Sequence, residues 1–244
     1  MSAIFNTIFY KPLLNGLIYV IGVLPMHDIG LAIILLTIAV RIIIFPLSHK
    51  ATVTQKKIKE LEPKLKEIKN QYKDSKEQAQ KTMDLYKEHG VSPFSLFSFF
   101  ALFLQLPIFF AMYKVFAGGM NFNHGLLYPG ISIPVSISKN FLGAIDITSK
   151  SFVMAVLAGI SQFIQIRLAV PPIKKTEGEK SDFKQELAKS MNLQMRYFMP
   201  IFIFFIATRL PAAMALYWLT MNVFSIVHES VVRKKAKSML SINT

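Results

Sequence analysis

Apolar residues in this chain gather into long runs separated by polar stretches, not into the half-face periodicity of water-facing helices. A helix that spans a bilayer needs about 20 such residues, with about 17–25 tolerated. Ile29 to Leu47 meets this and is interrupted only by Arg41, and Phe94 to Tyr113 is polar only at Ser95, Ser98 and Gln105. Phe152 to Val170 contains Gln162, Gln165 and Arg167. Met191 to Thr208 and Ala212 to Val232 are joined by the tight Arg209-Leu210-Pro211 corner, which implies an antiparallel hairpin. The pattern therefore predicts an all-α membrane protein with five transmembrane helices, at 28–47, 93–117, 151–170, 191–208 and 212–232. Pro107 and Pro200 sit inside spans and are expected to kink them. The fourth span is unbroken only from Tyr197 to Ala207, which implies tilt, bilayer thinning or burial against other helices.

Ile4 to Leu24 is apolar but carries Lys11-Pro12 near its middle, then Asn15 and Gly16. It has neither the leading positive charge nor the small-residue cleavage site of a signal peptide. The expectation is an N-terminal interfacial amphipathic helix over 1–27, with Phe5, Ile8, Phe9, Leu13 and Leu17 in lipid. A sixth span is the competing reading.

Between the first two spans, Ile58, Leu61, Leu65, Ile68 and Tyr72 recur at steps of 3 and 4 among Lys and Glu. This is a narrow helical seam. Asn70 to Ser75 reads as a turn, Ala79, Met83 and Tyr86 continue the spacing, and Gly90 suits a helix C-terminal cap. A projecting helical hairpin over 48–92 follows, with Pro63 as a local conflict in its first arm. Its length exceeds what a connection requires, which points to a contact role beside simple spacing. The 118–150 segment reads as an irregular outer loop, 171–190 as a polar loop, and 233–244 as a basic tail able to meet anionic lipid or ribosomal RNA.

Composition sharpens the class. Lys and Arg number 28 against 14 Asp and Glu, a net charge of +14, yet only 17% of residues are charged and 52% are hydrophobic. Soluble domains carry about 25% charge, so a water-facing globule is excluded. Cys is absent, which removes disulfides and thiolate chemistry. The 48–90 stretch holds 11 Lys, and Pro171 to Arg196 holds 6 basic residues. Arg233, Lys234, Lys235 and Lys237 follow the last span, whereas Gly118 to Lys150 has only Lys139 and Lys150. Five spans put all basic segments on one side, which the positive-inside rule makes cytoplasmic, with the N-terminus outside and the C-terminus inside.

Catalytic patterns are missing. There is no GxxxxGK[ST] loop and no HExxH, since His228-Glu229 continues as Ser230-Val231-Val232. The spans contain no acid beyond Asp28 and Glu229 at their edges, which speaks against proton- or sodium-coupled transport. No metal site or cofactor is expected, and the reading is of a protein that is not an enzyme.

Arg41 is the sharpest polar feature. An arginine within a span costs about 2.5–3.5 kcal/mol on insertion scales. Leu47 is six residues on, so a guanidinium could snorkel the roughly 9 Å to the headgroups. The alternative is a water-containing cavity open to the cytoplasm. Gln105, Gln162, Gln165, Trp218 and Asn222 are candidates to line it, against a role in interhelical hydrogen bonds or, for Trp218, as an interfacial anchor.

These residues carry a resemblance. Gly30 to Thr37, Val40-Arg41 and Phe45-Pro46-Leu47 resemble the first conserved span of the YidC family of membrane protein insertases. Further matches are Leu61-Glu62-Pro63-Lys64, Leu85-Tyr86-Lys87-Glu88, Gly90-Val91-Ser92-Pro93 and Gln105-Leu106-Pro107-Ile108-Phe109. Met199-Pro200, Leu216-Tyr217-Trp218 and Asn222 complete the ordered set. The resemblance implies a hydrophilic groove open to cytoplasm and lipid, in which Arg41 receives polar or acidic parts of a nascent membrane protein without nucleotide hydrolysis. It implies the ribosome, the Sec translocon, the signal recognition particle pathway and membrane lipids as partners, in a bacterial inner membrane. The chain departs from the pattern in lacking the large outer domain of Gram-negative relatives, and the signal peptide and lipidated Cys of Gram-positive ones. Outside the resemblance, a channel or solute transporter and a structural scaffold are the competing functions.

Overall fold

The computed structural model describes residues 3–72, 74–91, 96–117, 122, 124–170 and 183–242. The Ser92-Pro93 step and the 171–182 part of the expected polar loop lie outside them. The described chain is mostly helical: α1 (Ala3–Phe5), α2 (Lys11–Val23), α3 (Ile29–Glu60), α4 (Glu62–Gln71), α5 (Ser75–Glu88), α6 (Leu96–Ala117), α7 (Phe152–Ala169), α8 (Phe183–Leu193), α9 (Met199–Ala207) and α10 (Ala212–Ile242). Two compact units divide it, one of residues 1–41 and 108–244, the other of residues 42–107.

Prolines explain two departures from regular helix. Asn6–Tyr10 and Gln194–Phe198 are π-helical turns, each ending two residues before a proline, Pro12 and Pro200. In both, the residue just before the proline donates its N–H five residues back, Lys11 to Asn6 and Met199 to Gln194. A proline ring clashes with the carbonyl four residues earlier, and a wider turn moves that carbonyl aside. The expected kink at Pro200 thus takes the form of a π turn, and helix begins at Phe183 rather than at Met191. Pro46 and Pro107 stay within regular α-helix.

In the larger unit, α7 packs on α10 and α9. Small residues allow this close approach: Ala155, Ala158, Ala212, Ala213 and Ala215 are all fully buried. A Cβ added at Gly159 would stand 3.0 Å from the Cβ of Phe204. Ser151 caps α7 by accepting the Met154 N–H at 3.3 Å.

Three helical stretches among the described residues are long and apolar enough to cross a membrane: Ala3–Val23, Ile29–Ile58 and Phe152–Ala169. The first therefore meets the length requirement of a span as well as that of an interfacial helix. Its inward face holds Leu13, Leu14, Leu17, Ile18 and Ile21, all buried. Leu13 and Leu17, expected in lipid, face protein instead, because the apolar residues of this helix outnumber one stripe.

Within the expected 118–150 loop, the described residues 124–150 are more ordered than their Gly, Asn and Pro content suggested. His124–Leu126 forms a 3-10 turn, and β1 (Asn140–Phe141) pairs antiparallel with β2 (Ile145–Asp146), which adds a small hairpin to an otherwise helical fold. Asp28 ties this hairpin to α3: one carboxylate oxygen accepts the Leu31 N–H at 3.1 Å and the other the Leu142 N–H at 2.8 Å. The Ile29 N–H reaches the Ser138 carbonyl at 3.1 Å, and Phe141 lies directly on Gly30, where any Cβ would overlap its ring. Ala212 and Ala213 at the start of α10 donate to the carbonyls of Ser149 (2.7 Å) and Ile147 (2.9 Å). Asn15 is buried and donates to the Leu126 carbonyl at 3.0 Å while accepting the Tyr128 N–H at 2.7 Å.

In the smaller unit, α4 and α5 run antiparallel: Lys64 meets His89 at 3.2 Å near one end, and Gln78 donates to the Lys69 carbonyl at 3.2 Å near the other. Pro63 resolves its conflict by standing at the first turn of α4, with α3 ending at Glu60. Leu61 is buried and Ile58, Leu65, Ile68 and Tyr72 half-buried, as their spacing predicts. On α5 the inward face is Gln78, Thr82, Leu85, Tyr86 and His89, whereas Ala79 and Met83 are exposed, one position out of the predicted phase. Gly90, at φ +60°, ends α5 in a Schellman motif: the Val91 N–H reaches the Tyr86 carbonyl (2.8 Å) and the Gly90 N–H the Lys87 carbonyl (3.0 Å). Burial there raises the Tyr86 phenol above its ordinary pKa.

Candidate functional site: polar groups among the apolar helices

Arg41 sits on α3, one turn beyond Thr37, whose hydroxyl donates back to the Ile33 carbonyl at 2.6 Å. Its side chain is half-buried, and the phenol of the buried Tyr217 on α10 is its electrostatic neighbour. No carboxylate among the described residues pairs with it. A guanidinium carries five donors and stays charged, so water or an incoming acceptor must satisfy what a single phenol leaves unmet.

Gln162 and Gln165 on α7 are both half-exposed and joined, Nε2 of the first donating to Oε1 of the second at 3.4 Å. Their spacing of three residues places both on one face, so they present a shared amide surface. Gln105 is half-exposed on α6 and belongs to the smaller unit, whereas the other five candidates belong to the larger.

Trp218 and Asn222 are the most enclosed of the candidates, and Asn222 meets the alternative of an interhelical hydrogen bond. Trp218 is 7% exposed and stacks on Phe109 at 5.3 Å. Asn222, one turn further along α10, is 2% exposed and donates to the Ser161 hydroxyl at 3.1 Å. Both are packed inside rather than lining a water-facing wall. The small residues of α7 bring α10 close enough for the amide to find Ser161, and the indole finds a ring. Ser161 and Tyr217 were missed from the sequence, although Ser161 precedes Gln162 in the same polar step and Tyr217 precedes Trp218.

Comparison with known proteins decides the family. The model of the family described as 60Kd inner membrane protein matches residues 22–239. Membrane protein insertase YidC of Clostridium tetani is 34% identical over 220 residues, covering 90% of this chain and 87% of that protein. The chain belongs to the YidC family. YidC of Oceanobacillus iheyensis is 32% identical over 241 residues, covering 96% and 85%. YidC of Wolinella succinogenes is 33% identical over 206 residues, but there the chain spans only a third of the relative's length. A crystal structure titled as active YidC insertase with the first transmembrane domain resolved shares the fold, with a TM-score of 0.54, 23% identity, and 93% of this chain and 46% of that one covered. As a YidC family member with apolar spanning helices, the chain is a multi-pass inner-membrane protein.

Proposed function

We propose that this chain is a membrane protein insertase that moves short polar segments of nascent membrane proteins across the bilayer without nucleotide hydrolysis. The observation that carries the reading is Arg41, a half-buried cation in an apolar span with no carboxylate beside it among the described residues. Such a group lowers the barrier for an acidic client segment by supplying charge where hydrocarbon supplies none. Gln162 and Gln165 extend a hydrated wall of this groove on α7, open to the cytoplasm. The client's apolar segment then leaves into lipid past the exposed α7 and α9 surface of Leu157, Ile160, Ile201 and Phe205.

The accompanying topology has five spans, an N-terminal helix at the outer interface, and the hairpin and tail in the cytoplasm, where they meet ribosomes and, beside them, the Sec translocon. The tie between Asn15 and the lysine-poor loop supports the interfacial placement.

Purified chain in nucleotide-free vesicles is the test, with a client whose translocated tail carries two acids. Arg41→Ala is expected to lower insertion about tenfold, the weight of one charge-assisted contact, and Arg41→Lys to restore most of it. Insertion at the parent rate by Arg41→Ala overturns the electrostatic role.

A further inference from the structure

The turns that precede α3 and α7 are tied to the helix ends beside them. Ser138 exchanges two backbone hydrogen bonds of 3.1 Å, donating to the His27 carbonyl and accepting the Ile29 N–H. The Leu142 N–H reaches the Asp28 carboxylate at 2.8 Å, and Ala212 and Ala213 donate to Ser149 and Ile147. Pro134 lies against Gly22, 3.9 Å from where a Cβ would stand. His27, Asp28 and Ile29 are the last residues before α3 and its first, and Ala212 opens α10. The 134–149 stretch is therefore held at the level where the long apolar helix α3 enters the bilayer.

Large apolar side chains leave this layer outward. Val23 is 69% exposed, Met26 80%, Leu142 66%, and Val135 protrudes fully. Single exposed apolar residues are ordinary, but a gathering of them marks a surface that meets something apolar. Met26 (φ +65°) and Leu142 (φ +50°) also hold left-handed backbone, which glycine adopts freely and side-chain-bearing residues adopt at a cost. A strained methionine and leucine that touch so little protein have their favourable contacts outside it. Charge is sparse: residues 12–27 carry no Lys, Arg, Asp or Glu, and Lys139 alone is charged between Gly125 and Ile145. A protein-docking patch in water carries a polar rim, which these stretches do not supply. Lipid, by contrast, is already present at the level of the α3 entrance. We propose that Val23, Met26, Val135 and Leu142 insert into the acyl region of the bilayer leaflet at that end, the outer one on the topology proposed above, and anchor the two turns there. The anchor concerns how the chain sits in lipid, whatever its clients, so its failure would leave the insertase reading untouched.

Because the chain has no cysteine, single nitroxide labels can be placed on the full chain without background. Met26→Cys, Val135→Cys, Leu142→Cys and, as a charged neighbour, Lys139→Cys are labelled and reconstituted in vesicles of phosphatidylcholine and phosphatidylglycerol. Collisions with molecular oxygen, which concentrates in hydrocarbon, are compared with collisions with a nickel chelate, which stays in water. The ratio of oxygen to nickel collisions should be several-fold higher at 26, 135 and 142 than at 139. Nickel collisions dominating at 26 and 142 would show a water-facing surface, open to a protein partner, and overturn the anchor. A label at 139 that reads like the other three would show the probe entering lipid by itself and would equally overturn it. A second measurement leaves the strained turns unaltered. Trp218 is the only tryptophan, so Val135→Trp in a Trp218→Phe chain reports from one site. Quenching by phosphatidylcholine brominated on its acyl chains supports the anchor, and quenching by aqueous iodide alone refutes it.

Discussion

Asp28, the residue just before α3, and Arg41 on that helix are thirteen residues and so roughly 20 Å apart, and meet opposite surroundings. Asp28 is 4% exposed, and both its oxygens accept backbone N–H groups, one from α3 and one from the β-hairpin. Arg41 is half-buried beside a single phenol. Around Asp28 the loop, α2, α3 and α10 are joined by hydrogen bonds from Asn15, Ile29, Ala212 and Ala213. Around Arg41 and the Gln162–Gln165 pair, polar capacity is left over. A polar group that is fully bonded fixes structure, and one left partly unbonded is available to a ligand. The Asp28 end is accordingly a closed seal, and on our proposal the Arg41 region is a receptive one.

The largest expected break of this contrast is Asp28→Ala. It removes the charged acceptor of the Leu31 and Leu142 N–H groups and should cost about 3 kcal/mol, read as a lower unfolding midpoint in detergent, with amide exchange rising through residues 138–146. Loss of stability without change in that hairpin would show that the tie does not hold it. Asn222→Ala removes one interhelical bond and should cost only about 0.6 kcal/mol, with client insertion near parent level, since Asn222 is sealed against Ser161. A large insertion defect there would return Asn222 to the groove.

The smallest effect is one of pH. Hydrogen bonds from the Ser149 and Thr148 side chains hold the Asp146 carboxyl down at about 2, from an ordinary 3.8. A depressed folded-state value means that the carboxylate stabilises the turn above the ordinary value and ceases to as pH falls from about 4 to about 2. Asp146 is nearly fully exposed, so the effect should be local: the Thr148 amide resonance should shift with a midpoint near 2, and a midpoint near 4 would contradict it.

What the sequence conveyed follows physical range. Ile58 near the end of α3, Leu61 at the break, and Leu65 and Ile68 on α4 are all at least half-buried because periodicity is local, and Gly90 caps α5 because only a left-handed residue closes that motif at low cost. The Arg209-Leu210-Pro211 corner likewise announces itself by composition. The seal around Asp28 was not readable in advance, because it is built from backbone groups more than a hundred residues apart, such as Leu142 on Asp28 and Tyr128 on Asn15. The phase of α5 slipped by one position because Gln78 turns inward to satisfy carbonyls at the end of α4, a partner that apolar spacing does not count. For the candidate site, Arg41 and the two glutamines stood out as polar letters in apolar runs. Which of the polar residues find partners depended on how closely the alanines of α7 and α10 bring those helices together, and that is a property of the assembled bundle.

The most direct test places a photoreactive residue at position 41 and stalls a ribosome-bound client with an acidic tail partway into the membrane. Adducts between position 41 and the client's polar segment are predicted, with a second set from positions 162 and 165 and none from 222. Adducts only to lipid or to neighbouring helices would contradict a receptive Arg41.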